Sequence, residues 1–277
     1  MRISIQKIQQ YKDNGEVFPV LTAYDYPTAK IIDEAEVPMI LVGDSLGNVV
    51  LGYESTVFVT MSDMLHHTKA VVRGSKKALV LADMPFMSYQ VNPSEALVNG
   101  SKFLQDAGAQ AIKLEGGEEM AETVNTLVSR GIPVVGHIGF TPQSAYQIGQ
   151  RVQGKTVESA LQLVKDAQAI ADAGAFAIVL ELIPTEVAQI ITEKLTIPTI
   201  GIGAGPHCDS QVQVVSDMLG LFTDFVPKHA KQYAKISSAM REGIENYVGE
   251  VKSGSFPSEV HGSNLSDTVL NELKSHL

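Results

Sequence analysis

Asp106–Glu115 reads DAGAQAIKLE, and Asp172–Glu181 reads DAGAFAIVLE. The segments that follow repeat as well, because IPVVGHIG begins at Ile132 and IPTIGIGAG begins at Ile197. The offset between the copies is about 65 residues, the length of two strand–helix units of an α/β barrel. An internal repeat with this period predicts a barrel built from duplicated pieces.

Outward from this repeat, one pattern recurs along the chain: an apolar strand, then a polar side chain at its carboxyl end. The run MILV at Met39–Val42, for example, leads through Gly43 into an aspartate and a serine. The carboxyl ends of the strands of a parallel barrel meet on one face, where such folds carry their chemistry. The polar side chains at these positions are Asp44, Ser45, Asp83, Lys113, Glu115, His137 and Glu181.

The unbroken alternation of strands and helices predicts one (β/α)8 TIM barrel rather than two domains. The chain has 277 residues, and a barrel of this type takes about 250. An amphipathic helix at Ser4–Tyr11 is expected to cover the amino-terminal end of the barrel. We predict the eighth strand at Val212–Val215 and a closing helix at Lys228–Val248. The chain is thus divided into a catalytic barrel, residues 1–257, and an irregular C-terminal tail, residues 258–277, which ends in a weak helix at Leu265–Leu277.

Composition limits the possible partners. The formal net charge of −10 at pH 7 argues against nucleic acid and against an anionic membrane surface. The single cysteine, Cys208, excludes an intramolecular disulfide and fits a reducing compartment. The N-terminus lacks the apolar region of a signal peptide, and no apolar run approaches about 18 residues. We therefore expect a cytoplasmic protein that acts on small molecules.

Three of the strand-end side chains are carboxylates, namely Asp44, Asp83 and Glu115. Oxygen ligands on one rim suit a hard divalent cation such as Mg²⁺, which retains water and leaves coordination positions for a substrate. The alternative is that these are ordinary acids that cap helices or face solvent. Because each follows an apolar strand, we favour a metal site.

Lys113 precedes Glu115 by two residues, so both side chains should point to the same face of their strand. An ammonium group inside a barrel needs a partner, since unpaired burial of a charge costs several kcal/mol. A substrate carboxylate or another oxyanion would serve. A structural ion pair with a neighbouring glutamate is the alternative.

Glu181 ends the sixth strand, on the opposite side of the barrel from Asp44, and has apolar neighbours in the sequence. Partial desolvation would suit this carboxylate to act as a general base near neutral pH. Its alternative role is to cap the helix that begins near Thr185. His137 could be an acid, a ligand or a packed core histidine, and the sequence leaves this open.

Several motifs together resemble the ketopantoate hydroxymethyltransferase family, and the resemblance extends from about Ile3 to Pro257. They are VGDSLG, ADMPFMSYQ, IKLEGG, GHIGFTPQS, LELIP and IPTIGIGAGPHCDSQV, and they occur in the order of the family. The resemblance implies a barrel of the phosphoenolpyruvate/pyruvate type and a homodecamer. It also implies transfer of a one-carbon unit from 5,10-methylenetetrahydrofolate to 3-methyl-2-oxobutanoate, which gives ketopantoate in pantothenate synthesis.

Residue roles follow from the same resemblance. Asp44 and Asp83 would bind one Mg²⁺ per subunit, and Glu115 would complete the site directly or through water. The keto acid would be held by Asp44, Ser45, Asp83 and Lys113. Glu181 would be the proton acceptor.

Two other functions compete with this hypothesis. A related barrel lyase that breaks a carbon–carbon bond would use the same metal and enolate chemistry. Such lyases generally need a cysteine acid in a loop, and Cys208 follows the seventh strand instead. A non-catalytic barrel that binds a phosphorylated ligand would explain Gly201, Gly203 and Gly205 after that strand. These glycines could equally allow a tight exit from the strand, and a binding role would not explain the three acids with Lys113.

Overall fold

A computed structural model of the protein describes residues 2–277, and its strands form one closed, parallel barrel. Each strand pairs with the next along the chain, and the eighth pairs with the first. The predicted (β/α)8 barrel is therefore confirmed. The strands are β1 Phe18–Thr22, β2 Met39–Val42, β3 Leu79–Asp83, β4 Ala111–Lys113, β5 Val134–Gly139, β6 Ala177–Glu181, β7 Thr199–Ile202 and β8 Ser210–Gln213.

Helices surround the barrel and vary widely in length. Those that follow β1 to β6 in the usual alternation have apolar faces directed at the strands. The helices are α1 Ile5–Asp13, α2 Tyr26–Glu34, α3 Leu46–Val49, α4 Met61–Gly74, α5 Pro93–Gln105, α6 Ala121–Ser129, α7 Ala145–Ile148, α8 Val157–Asp172, α9 Thr185–Lys194, α10 Val215–Met218, α11 Ile236–Ser253 and α12 Asp267–Ser275.

Two apolar clusters stabilise this architecture. The larger one lies between the strands and the surrounding helices, and the smaller one fills the interior of the barrel. The inner cluster consists of alternate residues of the strands, because successive side chains of a strand point to opposite faces. Leu79 and Leu81 of β3 belong to it, and Asp83, the next residue in the same alternation, lies at the carboxyl end of the strand.

Helix α1 closes the amino-terminal end of the barrel, as the sequence predicts. Ser4 caps it by accepting a hydrogen bond from the Lys7 amide at 3.3 Å. Ile8 is fully buried and belongs to the inner cluster. Lys12 binds Asp209 next to β8, with 2.8 Å between Nζ and Oδ2.

The predicted position of the eighth strand is wrong by two residues. The strand is Ser210–Gln213, and the chain has left it at Val214. The apolar pair Val214-Val215 suggested a strand, but the Val215 amide donates a hydrogen bond to Thr22 Oγ1 at 3.0 Å and begins α10. The true strand has an alternating pattern, in which Ser210 and Val212 are buried and the two glutamines are partly exposed.

The closing helix also differs from its prediction of Lys228–Val248. Helix α11 begins eight residues later, at Ile236, and continues through Gly249 to Ser253. Gly254, with a φ of +74°, provides its left-handed cap. The tail beyond residue 257 contains a short 3-10 turn at Glu259–His261 and ends in α12, which agrees with the helix predicted at Leu265–Leu277. The division at residue 257 stays a prediction.

Within residues 2–277, no helix is both long enough and apolar enough to cross a membrane. The cytoplasmic location expected from the sequence stays a prediction.

Candidate active site

The strand-end side chains meet at the carboxyl-terminal mouth of the barrel. The register of β3 on β4 places Asp83 beside Lys113, and the register of β5 on β6 places Gly139 beside Glu181. Asp44, Asp83, Lys113, Glu115 and His137 are all buried, none of them more than 5% exposed. The expected common face is therefore present, and its charged groups are largely shielded from water.

Each of the three carboxylates has one oxygen held by an amide group. Asp83 Oδ2 accepts from the Asp44 backbone amide at 3.0 Å. Asp44 Oδ2 accepts from Gln143 Nε2 at 2.9 Å, and Glu115 Oε2 accepts from the Gln143 backbone amide at 3.0 Å. Glu115 Oε1 is buried without a hydrogen-bond partner, and Asp83 Oδ1 has only an ion pair. One oxygen of each of these last two carboxylates is thus free of hydrogen bonds.

Lys113 is the cation of this cluster. Its Nζ lies 2.8 Å from Asp83 Oδ1 and 3.2 Å from His137 Nδ1. Burial lowers the pKa of Lys113, but the carboxylates of Asp83, Glu115 and Asp44 raise it further, and the net shift is upward. Lys113 is therefore a permanent ammonium group. Its partner is Asp83 and not the glutamate that the structural alternative required.

One lysine does not balance three carboxylates. Burial raises the pKa values of Asp44 and Asp83, and for Asp44 the neighbouring charges of Asp83 and Glu115 raise it further. With all three acids ionised, the acids and Lys113 together carry two negative charges. A divalent cation would neutralise this excess, and the carboxylate oxygens without hydrogen bonds are the hard ligands that Mg²⁺ prefers.

The arrangement does not form a closed metal cage. Across the described residues, no three His, Cys, Asp or Glu side chains are placed to hold an ion between them. Asp44 and Asp83 stay the predicted ligands, and a cation held by two carboxylates would have its other coordination positions open. Mg²⁺ commonly binds in this way and keeps several waters. The participation of Glu115 stays a prediction.

His137 lies between two carboxylates. Its Nε2 is 3.2 Å from Glu181 Oε2, and its Nδ1 is 3.5 Å from Glu115 Oε1. Burial and the Lys113 charge lower the pKa of His137, but these two carboxylates outweigh them and raise it to about 9. The histidine is thus part of the charged cluster. Because it is also 2% exposed, the choice between an acid, a ligand and a packed core histidine stays open.

Glu181 is the least buried acid of the cluster, with 16% of its side chain exposed. It does not cap α9, because Pro184 occupies the N-cap position and no side chain bonds there. The capping alternative is therefore wrong. Ser45, also predicted from its strand end, lies in the same mouth, where its hydroxyl is 2.9 Å from the hydroxyl of Tyr24.

The glycines after β7 have a conformational explanation. Gly203 and Gly205 have φ values of +62° and +80°, which other residues rarely adopt. A side chain at Gly205 would overlap that of Thr185, and one at Gly203 would overlap that of Leu182. These contacts support a tight strand exit and give no separate support to a phosphate site.

Comparison with known proteins identifies the family of this chain. The family model for ketopantoate hydroxymethyltransferase matches residues 2–259. The chain belongs to this family. A 3-methyl-2-oxobutanoate hydroxymethyltransferase of Dehalococcoides mccartyi (strain CBDB1) is 58% identical over 275 residues, which are 99% of each chain. One of the same name from Chloroflexus aurantiacus (strain ATCC 29366 / DSM 635 / J-10-fl) is 57% identical and covers 98% of this chain and 96% of its own.

The ketopantoate hydroxymethyltransferase family is made of enzymes, so the expectation of an enzyme of the hydroxymethyltransferase class is confirmed. Solved structures that resemble the chain include phosphonopyruvate hydrolase in complex with oxalate and Mg²⁺, with a TM-score of 0.61 and 14% identity over 100% of this chain and 96% of that one. A 2,3-dimethylmalate lyase has a TM-score of 0.62 and 17% identity over 98% and 91%. At these identities the likeness concerns the fold.

Two buried residues of the site were not predicted from the sequence. Gln143 lies in the long connection after β5, which begins with the sequence GFTPQSAYQ. It contacts two of the three acids. Tyr89, after β3, donates its hydroxyl hydrogen to Gln143 Oε1 at 2.7 Å and accepts from the Glu115 amide at 3.0 Å. Neither residue is charged, so charge and strand-end position do not single them out.

Proposed function

We propose that this protein transfers the one-carbon unit of 5,10-methylenetetrahydrofolate to 3-methyl-2-oxobutanoate and so forms ketopantoate. The names of the relatives support the acceptor, and the chemistry of the mouth supports the reaction type. The observation that carries the proposal is the charged cluster itself. A buried ammonium, three buried carboxylates and a carboxylate–histidine pair lie together at the face where barrels carry catalysis.

Asp44 and Asp83 are the residues that would hold a divalent cation, which we propose to be Mg²⁺. When bound, the cation would polarise the oxygens of a 2-oxo acid and stabilise negative charge that develops there. Lys113 supplies a second positive charge from the protein. Because it is buried and its pKa is raised, its charge acts in a medium that screens it weakly.

Glu181 acts as the base in this proposal. Its partial exposure leaves the carboxylate accessible from the mouth, and His137 Nε2 lies 3.2 Å from Glu181 Oε2. The raised pKa of His137 makes it a cation at neutral pH, so its charge lies beside the carboxylate that takes the proton. In the proposed step, Glu181 takes the C3 proton of the keto acid, and the electrons of that C–H bond form the enolate double bond. Lys113 then faces the developing enolate oxygen.

The enolate carbon forms the new carbon–carbon bond to the one-carbon unit, and both C–N bonds that join this unit to the folate are broken in the overall transfer. The overall transfer consumes water, which supplies the hydroxyl oxygen, and it releases tetrahydrofolate. The folate thus carries the electrophilic carbon, and the protein contributes binding and orientation.

The test separates proton removal from carbon transfer. With Mg²⁺ and no folate, the protein should exchange the C3 hydrogen of 3-methyl-2-oxobutanoate for deuterium in D₂O, as followed by NMR. Chelation of the metal should stop the exchange, and readdition of Mg²⁺ should restore it. Addition of 5,10-methylenetetrahydrofolate should then give ketopantoate. Exchange without any product would contradict the folate donor, and no exchange at all would contradict the enolate chemistry.

The rival lyase is disfavoured by the position of the only cysteine. Cys208 is buried and adjoins Asp209, whose carboxylate is bound by Lys12 of α1. This places the thiol near the amino-terminal end of the barrel, away from the mouth. Incubation with 2,3-dimethylmalate and Mg²⁺ should therefore release no keto acid.

We also propose that the protein assembles into a homodecamer. The number of subunits rests on the family resemblance alone, and the surface of α11 supports association. This helix has no buried residue, and Met240, Ile244, Tyr247 and Val251 form an exposed apolar stripe along it. Sedimentation should show a particle near ten subunits, and a monomer would contradict the proposal.

A further inference from the structure

Gln143 is the point at which two of the three acids are held by one residue. Its side-chain amide donates to Asp44 Oδ2, and its backbone amide donates to Glu115 Oε2. Asp44 lies 99 residues earlier in the chain, so this contact joins the loop after β5 to the loop after β2. The residue is 4% exposed, so water does not compete freely for these bonds.

The orientation of the Gln143 amide is determined by its other neighbours. The Tyr89 hydroxyl and Gln90 Nε2 both donate to its Oε1, at 2.7 Å and 3.0 Å. Its Nε2 donates a second hydrogen to the Met84 carbonyl at 2.9 Å. A rotated amide would place Nε2 against two donors and Oε1 against two acceptors. The Tyr89 hydroxyl is also fixed, because it accepts from the Glu115 backbone amide.

We propose that Gln143 is a positioning residue, which holds the carboxylate of Asp44 so that its second oxygen is presented to a divalent cation. By occupying Oδ2, the Gln143 amide leaves Oδ1 as the ligand atom and prevents rotation of the carboxylate. The same logic applies to Glu115, whose Oε2 is occupied by the Gln143 backbone and whose Oε1 has no hydrogen-bond partner. This inference rests on the metal site of the proposed function. Partners that orient metal ligands in this way typically contribute 10–100-fold to metal affinity or activity.

The test measures Mn²⁺ binding by electron paramagnetic resonance, without substrates, so that turnover is not the readout. Gln143→Leu should bind Mn²⁺ about 10–100-fold more weakly than the unsubstituted protein. The matched control is Gln147→Leu, because Gln147 is an exposed glutamine four residues further along the chain, in the short helix α7. This control should bind Mn²⁺ normally. Excess Mg²⁺ should restore C3 exchange in Gln143→Leu, since a merely misfolded site would not recover.

Tyr89→Phe provides a second variant, which keeps the ring and removes only the hydroxyl. This hydroxyl donates to the Gln143 amide oxygen and accepts from the Glu115 backbone amide. It should also weaken Mn²⁺ binding, by a smaller factor, and its thermal unfolding midpoint should be checked alongside. In the double variant, the loss of Mn²⁺ affinity should be smaller than the two single losses combined. The reason is that the Tyr89 hydroxyl orients the same Gln143 amide that Gln143→Leu removes.

Three outcomes are distinguishable. Weaker binding in both variants, with a normal control and non-additive effects, supports the inference. Equal binding by Gln143→Leu and the unsubstituted protein, or fully additive effects, overturns it while leaving the proposed function intact. Failure of the unsubstituted protein to bind Mn²⁺ or Mg²⁺ overturns the metal site itself, and with it this role of Gln143.

Discussion

The amino-terminal end of the barrel interior contains Ile8 from α1, which belongs to one apolar cluster with Phe18 and Leu79 at the starts of β1 and β3. The carboxyl-terminal end of the same interior contains five buried charged or titratable residues, Asp44, Asp83, Lys113, Glu115 and His137. Along β3, the change from apolar to charged takes place between Leu81 and Asp83. Two residues of a strand span only about 7 Å.

The two ends of the barrel interior therefore contribute differently: the apolar end contributes stability, and the charged end contributes the chemistry. Apolar burial at one end stabilises the fold without directional requirements. At the other end, every buried charge depends on a partner at a defined distance, such as the 2.8 Å between Lys113 Nζ and Asp83 Oδ1. Substitutions at sites more than about 10 Å apart usually have independent effects on stability. The two ends should therefore be separable by experiment.

The largest effect is expected from Glu181→Gln, which changes the mouth alone. Loss of a positioned general base typically costs about 10²–10⁴-fold in rate. The C3 exchange of 3-methyl-2-oxobutanoate should fall by that factor, whereas binding of the keto acid, measured by calorimetry, should be retained. The exposed Glu186, on α9, gives the matched control Glu186→Gln, which should exchange normally. Exchange at the original rate by Glu181→Gln would show that Glu181 is not the base, and His137 would be the next candidate.

A smaller effect, on stability and not on the exchange rate, is expected from Ile8→Ala. Removal of a fully buried isoleucine side chain leaves a cavity and typically lowers the free energy of unfolding by about 2–5 kcal/mol. The folded variant should retain its exchange rate per active site. Ile31→Ala is the matched control, because Ile31 is 66% exposed and its truncation should have little effect on stability. A loss of exchange without a loss of stability in Ile8→Ala would show that the two ends are coupled.

The sequence predicts the apolar end and the charged residues of the mouth for different reasons. Strand periodicity and the repeat at Asp106–Glu115 and Asp172–Glu181 identify the barrel, and strand-end position then identifies each acid and Lys113. Contacts such as that between Asp44 and Gln143 depend on how two loops pack, and no local pattern records this. The position of β8 differs from its prediction for a related reason. The Val215 amide donates a hydrogen bond to the side chain of Thr22 in β1, a residue far away in the sequence.

The smallest effect concerns Asp217, a carboxylate 6% exposed in the first turn of α10, beyond β8. Burial raises its pKa to about 6. Because the folded state then binds this proton more tightly than the unfolded state does, stability present below about pH 4 is lost as the pH rises through 6. Between pH 4.5 and pH 7.5 the loss should be about 2 kcal/mol, at about 1.4 kcal/mol per pH unit up to the folded pKa.

Asp217→Asn cannot ionise, so relative to the unsubstituted protein it should gain this amount over the same interval. Urea unfolding at the two pH values measures the difference, and the exposed Asp224 gives the control Asp224→Asn. An equal stability difference between Asp217→Asn and the unsubstituted protein at both pH values would show that ionisation of Asp217 does not lower the free energy of unfolding. The buried charge at this end of the barrel would then lack the stability cost that the comparison of the two ends predicts.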